Sequence, residues 1–426
     1  MAPRLVVVGG GAGGLELATR LGDKYGKRSR ARVTLVDRSR THLWKPLLHE
    51  VAAGSMDMHQ HQLDYLAQAR WHNFTFVLGA LAGLDRAAKE VVVARVLDDE
   101  GQVILPQRRV PYDKLVIAIG CESNDFNTPG VREHAFTLDN AWQAHLFHRR
   151  LVNACFHANF ANDGRVLDIA IVGAGATGVE LAAELHNTLR VLAAYGLENF
   201  EPAKQIRLSI VEAGPRILPG LPDHIAEGTL GVLKDLGVAV YTGDKAVEVT
   251  AEGVRTASGK LVRGDFTVWA AGIRCPEVLK DLGGLESNRL NQLVVKPTLQ
   301  TTRDDDIYAI GDCAAAPWIE GRTVPPRAQA AHQQSSHLVT TLLRSPQPYR
   351  YRDFGSLVSL GHYDTIGQLM GFVASEKFRV EGYLAKLFYI SLYRQHLWAL
   401  HGFWRIALDT LARMIRSQVE PKVKLH

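Results

Sequence analysis

Apolar positions along the chain gather into short unbroken runs that end in glycine, not into one long periodicity. Leu5-Val-Val-Val8 is the first such run. It is too short and too β-branched for a helix, and fits a strand buried on both faces of a parallel sheet. It opens onto Gly9-Gly-Gly-Ala-Gly-Gly14, and the following Leu15-Glu-Leu-Ala18 begins a helix. Gly9, Gly11 and Gly14 stand at G-x-G-x-x-G spacing. The first permits a tight turn. The second lets backbone N–H groups, through Ala12 and Gly13, approach a pyrophosphate. The third lets the helix pack close on the strand, with its positive end toward the phosphates. A second strand, Arg32-Val-Thr-Leu-Val-Asp37, ends in an acid placed to bind ribose hydroxyls, close to the expected distance of roughly 20 residues.

The same device returns. Ile169-Ala-Ile-Val172 leads into Gly173, Gly175, Thr177 and Gly178, and the acid-ended strand Arg207 to Glu212 follows. Its gap is longer than usual, which an extended helix or loop through Asn187 to Gln205 explains. Two dinucleotide sites in one chain imply that two nucleotide cofactors meet. The predicted fold is therefore α/β: two Rossmann-like dinucleotide-binding domains plus a C-terminal amphipathic region. Residues 1–130 and 286–345 form the first domain, 131–285 the second, and 346–426 the amphipathic region. Further buried strands end at Gly120 and Gly272, and a short strand ends at Gly311-Asp312. Runs at Phe74–Gly79 and Val91–Leu97 suggest a small β insertion. A helix is expected from about Ala328 to Leu343, entered after two prolines. Thr41-His-Leu-Trp-Lys-Pro-Leu-Leu-His-Glu-Val-Ala-Ala-Gly54 is too patterned to be filler.

Composition narrows the class little. A chain of 426 residues, 46% hydrophobic and 22% charged, is an ordinary globular protein of about two or three domains. A net charge of +5 without a dense basic block argues against nucleic acid and leaves an anionic membrane surface open. Cys121, Cys155, Cys275 and Cys313 lie far apart, with no C-x-x-C. Neither a disulfide framework nor a dithiol relay is expected, nor a metal site, and each cysteine reads as a small core residue. The first strand starts within a few residues of the N-terminus, so no signal peptide fits. No uncharged apolar stretch reaches about 18 residues, so no transmembrane helix is expected, and the body of the protein is expected in the cytoplasm.

These motifs carry a resemblance. The two glycine units, with Thr302…Ala309-Ile-Gly311-Asp312, are similar to the two-dinucleotide-domain flavoprotein reductases. Within them, Leu43–Gly54, Ser123-Asn-Asp-Phe-Asn-Thr-Pro-Gly130, Ala328-Gln-Ala-Ala-His-Gln333, Ser356–Leu360 and Tyr389–Arg394 resemble the type II, non-proton-pumping NADH:quinone dehydrogenases of bacteria. The likeness runs from about Arg4 to His426. It implies non-covalent FAD on Gly9, Gly11, Ala12, Gly13, Gly14, Asp37, Lys45, Gly120, Gly311, Asp312, Ala328 and Gln329. It implies NADH on Gly173, Gly175, Thr177, Gly178, Glu180, Glu212 and Gly272. Hydride then passes from NADH to FAD, and two electrons pass to a membrane quinone, menaquinone or ubiquinone. On the family pattern, Gln329 and Gln333 lie on the quinone approach, Glu180 near the nicotinamide and flavin, and Lys45 beside the flavin. His49 and His332 read as packing or hydrogen-bonding residues. Homodimers are common in the family.

The segment from about Tyr383 to Val419 mixes Leu384, Phe388, Leu397, Trp398, Trp404, Leu408, Leu411 and Ile415 with Lys386, Arg394, Arg405, Arg413 and Arg416. It is expected to rest on anionic lipid at the cytoplasmic face of the inner (cell) membrane, as a peripheral anchor. Three other readings share the architecture: a sulfide:quinone oxidoreductase, which needs a cysteine pair beside the flavin; a ferredoxin- or rubredoxin-type reductase; and a membrane-tethered flavin sensor or scaffold without turnover.

Overall fold

A computed structural model describes residues 1–161, 163–197, 199–360, 365–369, 378–381, 393–416 and 423–424. The first domain is built on a six-stranded sheet. Its strands are β1 (Arg4–Val8), β2 (Arg32–Asp37), β3 (Thr75–Leu78), β4 (Lys114–Ile117) and, after the second domain, two from the returning chain. β1 lies between β2 and β4, parallel to both, with Val8 opposite Val36 and Ile117. Leu5, Val7, Leu35, Leu115 and Ile117 are all fully buried, as expected for strands covered on both faces. The run at Phe74–Gly79 differs from expectation: Thr75–Leu78 pairs with β2 as the edge of this sheet. The small insertion is instead an antiparallel three-stranded sheet of Leu81–Asp85, Glu90–Val93 and Arg108–Pro111.

The second domain holds β5 (Ala135–Thr137), β6 (Leu167–Val172), β7 (Ile206–Val211), β8 (Ala239–Tyr241) and β9 (Phe266–Trp269), all parallel, in the order β5-β9-β6-β7-β8. The chain then returns to the first sheet as β10 (Gln300–Thr301) and β11 (Asp304–Ala309), with β11 parallel to β4. Both sheets have their glycine turn at the strand where the order reverses. There, side-by-side strand ends lead their connections to opposite faces and leave a crevice.

Six helices matter for the site: α1 (Ala12–Lys24), α2 (Leu48–Ala53), α3 (Ala141–Ala161), α4 (Ala176–Ala194), α5 (Ala328–Thr341) and α6 (Phe403–Arg416). The long second-domain gap is accounted for by α4 running to Ala194 and by a short helix, Pro202–Gln205, before β7. α2 belongs to the first domain by sequence, yet Leu48, Val51, Ala52 and Ala53 are buried with Phe147 and Leu151 of α3 and Val179 and Leu181 of α4 in the second domain's core. The patterned stretch Leu43–Gly54 is thus a bridge between domains.

The C-terminal region departs from the amphipathic reading in its first part. Gly355–Ser359, Thr365–Leu369 and Phe378–Glu381 form an antiparallel sheet, and Val358 and Leu360 enter the second domain's core. Residues 393–401 are helical, and Leu400 joins the first domain's core. Leu384, Lys386 and Phe388, and most of Tyr389–Arg394, lie outside the described residues.

The expectation for the cysteines is corrected as well. Cys121 and Cys275, 154 residues apart, form a disulfide. The two chain links between the domains run antiparallel, Glu122 opposite Arg274 and Ser123 opposite Ile273, and the next position along that ladder pairs the two cysteines. Cys155 and Cys313 are free and buried, as expected. Spacing cannot reveal such a pair, because it forms only when the two links lie side by side. Protein purified without reductant should show two titratable thiols when denatured and four after reduction. Four thiols before reduction would contradict the pairing.

Candidate active site

The first glycine turn is held from two sides. At its acid side, the Gly10 N–H donates to Asp37 Oδ2 at 2.6 Å and the Ser39 N–H to Asp37 Oδ1 at 2.7 Å. Burial raises the Asp37 carboxyl above its usual range, and the two N–H bonds oppose that rise. On the other side, the Gly10 carbonyl accepts from Tyr65 OH at 2.7 Å and from His42 Nδ1 at 2.9 Å. That bond fixes the proton on His42 Nδ1, so His42 Nε2 accepts from His396 Nε2 at 3.1 Å. Gly9 has φ +101°, a conformation that favours glycine, and a Cβ at Gly14 would run into the Gly9 carbonyl oxygen. A Cβ at Gly11, by contrast, meets nothing within 4 Å. α1 starts there with no side-chain cap and no acid in its first turn, so its leading N–H groups suit a phosphate. Gly9, Gly11 and Asp37 line a cavity of about 200 Å³ between the ends of β1 and β2.

The second turn repeats this geometry. Gly173 has φ +103°, a Cβ at Gly178 would meet the Gly173 carbonyl, and one at Gly175 meets nothing within 4 Å. Glu212 takes the place of Asp37: its Oε2 accepts from the Ala174 N–H at 2.8 Å and its Oε1 from the Gly214 N–H at 2.7 Å. Arg216 is already committed, its guanidinium donating to the carbonyls of Leu218, Pro219 and Leu221 and lying 3.3 Å from Asp223. Thr177 is exposed beside this turn.

Between the turns, the bridge and the interdomain links converge. Lys45 Nζ donates to the Cys121 carbonyl at 2.7 Å and lies 3.7 Å from Asp139 Oδ1. Its charge partly offsets the burial that raises the Asp312 carboxyl. Gly120, Gly272 and Gly311 all have positive φ; a Cβ on Gly272 would strike the Phe126 ring. Glu180, in the first turns of α4, is buried. Its Oε1 accepts from the Ser359 N–H at 3.0 Å, and its Oε2 lies 3.6 Å from His49 Nδ1. Burial pushes the Glu180 carboxyl up to about 8, and Glu50 and Glu184 push the same way. Burial pushes His49 down to about 4, although a ring N–H bonds the Pro46 carbonyl. At neutral pH the pair is therefore a protonated carboxyl beside a neutral ring. Sequence reasoning set His49 aside. Its neighbour is 131 positions away, and only the α2 bridge joins them.

α5 packs along α1, where a Cβ at Gly13 would crowd Ala331. Ala328 and Gln329 open the helix after Arg327. Gln329 Oε1 accepts from Tyr351 OH at 2.8 Å and from the Phe354 N–H at 3.3 Å. Gln333 uses both ends of its amide on one residue: Nε2 donates to the Arg352 carbonyl at 2.8 Å, and Oε1 accepts from the Arg352 N–H at 3.0 Å. Gln334 accepts from the Gly311 N–H at 2.6 Å, tying the helix to the Gly-Asp turn. His332 Nδ1 meets the buried Glu16 at 2.7 Å, and Arg20 holds Glu16's other oxygen. Gln334 and Tyr351 carried no recognisable signal in the sequence, and Ser359 stood out only as part of the Ser356–Leu360 stretch.

A family model described as pyridine nucleotide-disulphide oxidoreductase matches residues 3–335. The chain belongs to that family. It is 43% identical to a type II NADH:quinone oxidoreductase of Haemophilus influenzae, over 99% of each chain. Its fold matches that of NDH2 from Plasmodium falciparum in complex with NADH, with a TM-score of 0.82 at 17% identity over 100% of both chains. The sulfide:quinone oxidoreductase of Aquifex aeolicus shares the fold at TM-score 0.71 and 18% identity, over 99% of this chain and 96% of that one.

The Glu180 environment has a measurable consequence. Its folded pKa lies above its unfolded one, so the folded state keeps a proton that the unfolded chain sheds. Stability conferred by that proton is complete below about pH 4.5 and is lost as pH rises to about 8. Glu180→Gln should therefore melt progressively higher than the parent as pH goes from 5 to 8, by several degrees at the upper end. A melting difference independent of pH would contradict the assignment.

Proposed function

We infer that this chain is a type II NADH:quinone oxidoreductase. The observation that carries this reading is the pair of equivalent glycine turns, each tied to its own carboxylate, in a chain related over its full length to such an enzyme. FAD, when bound, accepts a hydride from NADH and delivers two electrons to a quinone. In this reading the first turn, Asp37, Lys45, Gly120, Gly311, Asp312, Ala328 and Gln329 hold FAD. The second turn, Thr177, Glu180, Glu212 and Gly272 hold NADH. Lys45 supplies positive charge to the reduced ring. Glu180, protonated at neutral pH, is a proton source for a quinone, which gains two protons on reduction. Gln329 faces the quinone, and Gln333 holds the Arg352 segment beside it.

Glu212 selects the nucleotide. Its oxygens suit ribose hydroxyls, and a 2′-phosphate meets a like charge. Arg216, which lies close enough in sequence to accept such a phosphate, is instead engaged with three carbonyls. NADH should exceed NADPH in kcat/KM by at least tenfold, about 1.4 kcal/mol. Equal values would refute the role of Glu212.

The quinone's home is lipid, and the enzyme is associated with the membrane. Among the described residues no helix is long and apolar enough to cross one. We place the contact on α6, at the cytoplasmic face and on anionic lipid, in a homodimer. Trp404, Leu408 and Leu411 follow helical spacing and are 78, 68 and 57% exposed, while the Arg394–Asp409 bridge at 3.1 Å fastens the opposite side. Trp71, under the Arg405 guanidinium, extends this apolar surface. Changing Trp404, Leu408 and Leu411 together to Glu should abolish sedimentation with anionic liposomes, while NADH still bleaches the flavin. Undiminished liposome binding would move the contact elsewhere.

The Cys121–Cys275 pair is the feature that favours sulfide as an alternative donor. Both cysteines are buried, at 5 and 2% exposure, within the interdomain ladder, and the intact second turn favours the nicotinamide donor. Offering sulfide and NADH side by side separates the readings: only NADH should bleach the flavin.

A further inference from the structure

Every glutamine amide has an acceptor end and a donor end, and which end faces a ligand decides what it can recognise. At Gln329 the hydrogen-bond network leaves no freedom. The Phe354 backbone N–H can only donate, so the atom it meets is Oε1. Tyr351 OH bonds that same atom at 2.8 Å. An amide oxygen can only accept, so the Tyr351 hydroxyl is the donor. The phenol proton therefore points at Gln329. Burial, with Asp353 acting in the same sense, pushes the Tyr351 phenol up to about 12, so the proton stays. Tyr351 is buried, its ring edge-on to Trp318 at 5.3 Å between centroids. The neighbouring Gln333 spends both ends of its amide on Arg352. Gln329 Nε2 meets no acceptor among the described residues, so both its N–H groups remain for a ligand.

We propose that Tyr351 is a positioning residue for the quinone half-reaction: by holding Gln329 Oε1, it turns the amide donors toward the quinone. A quinone carbonyl is an acceptor only, and negative charge gathers on its oxygen as electrons arrive. A fixed donor pair favours that oxygen, whereas an amide free to turn presents its own oxygen part of the time. The Tyr351 hydroxyl reaches Gln329 from outside the helix that carries the glutamines. The proposal rests on the reading that Gln329 faces the quinone.

The test is a double-mutant cycle on the FAD-loaded, full-length protein, with Tyr351→Phe, Gln329→Glu and the double variant. FAD content and melting temperature serve as the folding controls. Short-chain ubiquinone is titrated into the oxidised protein without NADH to obtain a Kd, and flavin reduction by NADH is timed separately. Tyr351→Phe should weaken ubiquinone binding by about three- to tenfold, as expected for one lost orienting hydrogen bond, and leave the rate of reduction by NADH unchanged. Gln329→Glu should also weaken binding, since the carboxylate offers no donor. In that background the tyrosine change should add less than about twofold. An unchanged Kd in Tyr351→Phe overturns the proposal. So does an equal effect of Tyr351→Phe in both backgrounds, which would mark a packing role. If Gln329→Glu binds ubiquinone normally, the assignment of Gln329 to the quinone fails, and the proposal fails with it.

Discussion

A carboxylate at the end of one strand, accepting a hydrogen bond from the glycine turn at the end of the next, is the interaction on which the architecture depends. It occurs twice, as Asp37 with Gly10 and as Glu212 with Ala174. Each bond uses one lone pair of the carboxylate and leaves others directed at the crevice. Each also fixes the turn whose middle glycine is open, so the helix behind it points uncapped N–H groups at the same place. Nucleotide recognition and strand registry are thus one constraint. The asymmetry between the sites is small: one acid is a methylene longer, and His42 and Tyr65 brace only the first turn.

Two nucleotide sites make a redox enzyme only if their reactive ends meet, and that depends on the bridge. α2 leaves the first domain and buries its apolar face between α3 and α4 of the second. His49 on that helix reaches Glu180, and Lys45 just before it reaches the link at Cys121. The C-terminal sheet closes the opposite side through Ser359 and the Tyr351 segment. Three stretches remote in sequence thereby enclose one protonated carboxyl.

Both glycine turns, their acids, the Gly311-Asp312 turn and the start of α5 were legible in the sequence, because each is a local pattern whose spacing has a mechanical cause. What escaped depended on contacts between remote segments. The Cys121–Cys275 pair needs the two interdomain links side by side. His49 needs α2 against α4. Tyr351 and Ser359 lie in a region whose apolar and basic residues suggested lipid, yet its first strand serves the core. Phe74–Gly79 was read as part of an insertion because an edge strand and an insertion strand carry the same alternation; only pairing with β2 separates them.

In the proposed reaction one flavin, set where the two domains meet, is reduced by NADH and reoxidised by quinone in separate steps. Anaerobic double-mixing stopped flow tests it directly. The oxidised protein is first mixed with a stoichiometric amount of NADH and then with a short-chain quinone, and flavin absorbance is followed throughout. Full bleaching is expected in the first step and full recovery in the second, in the absence of oxygen. Bleaching by NADH without recovery on adding quinone would contradict it.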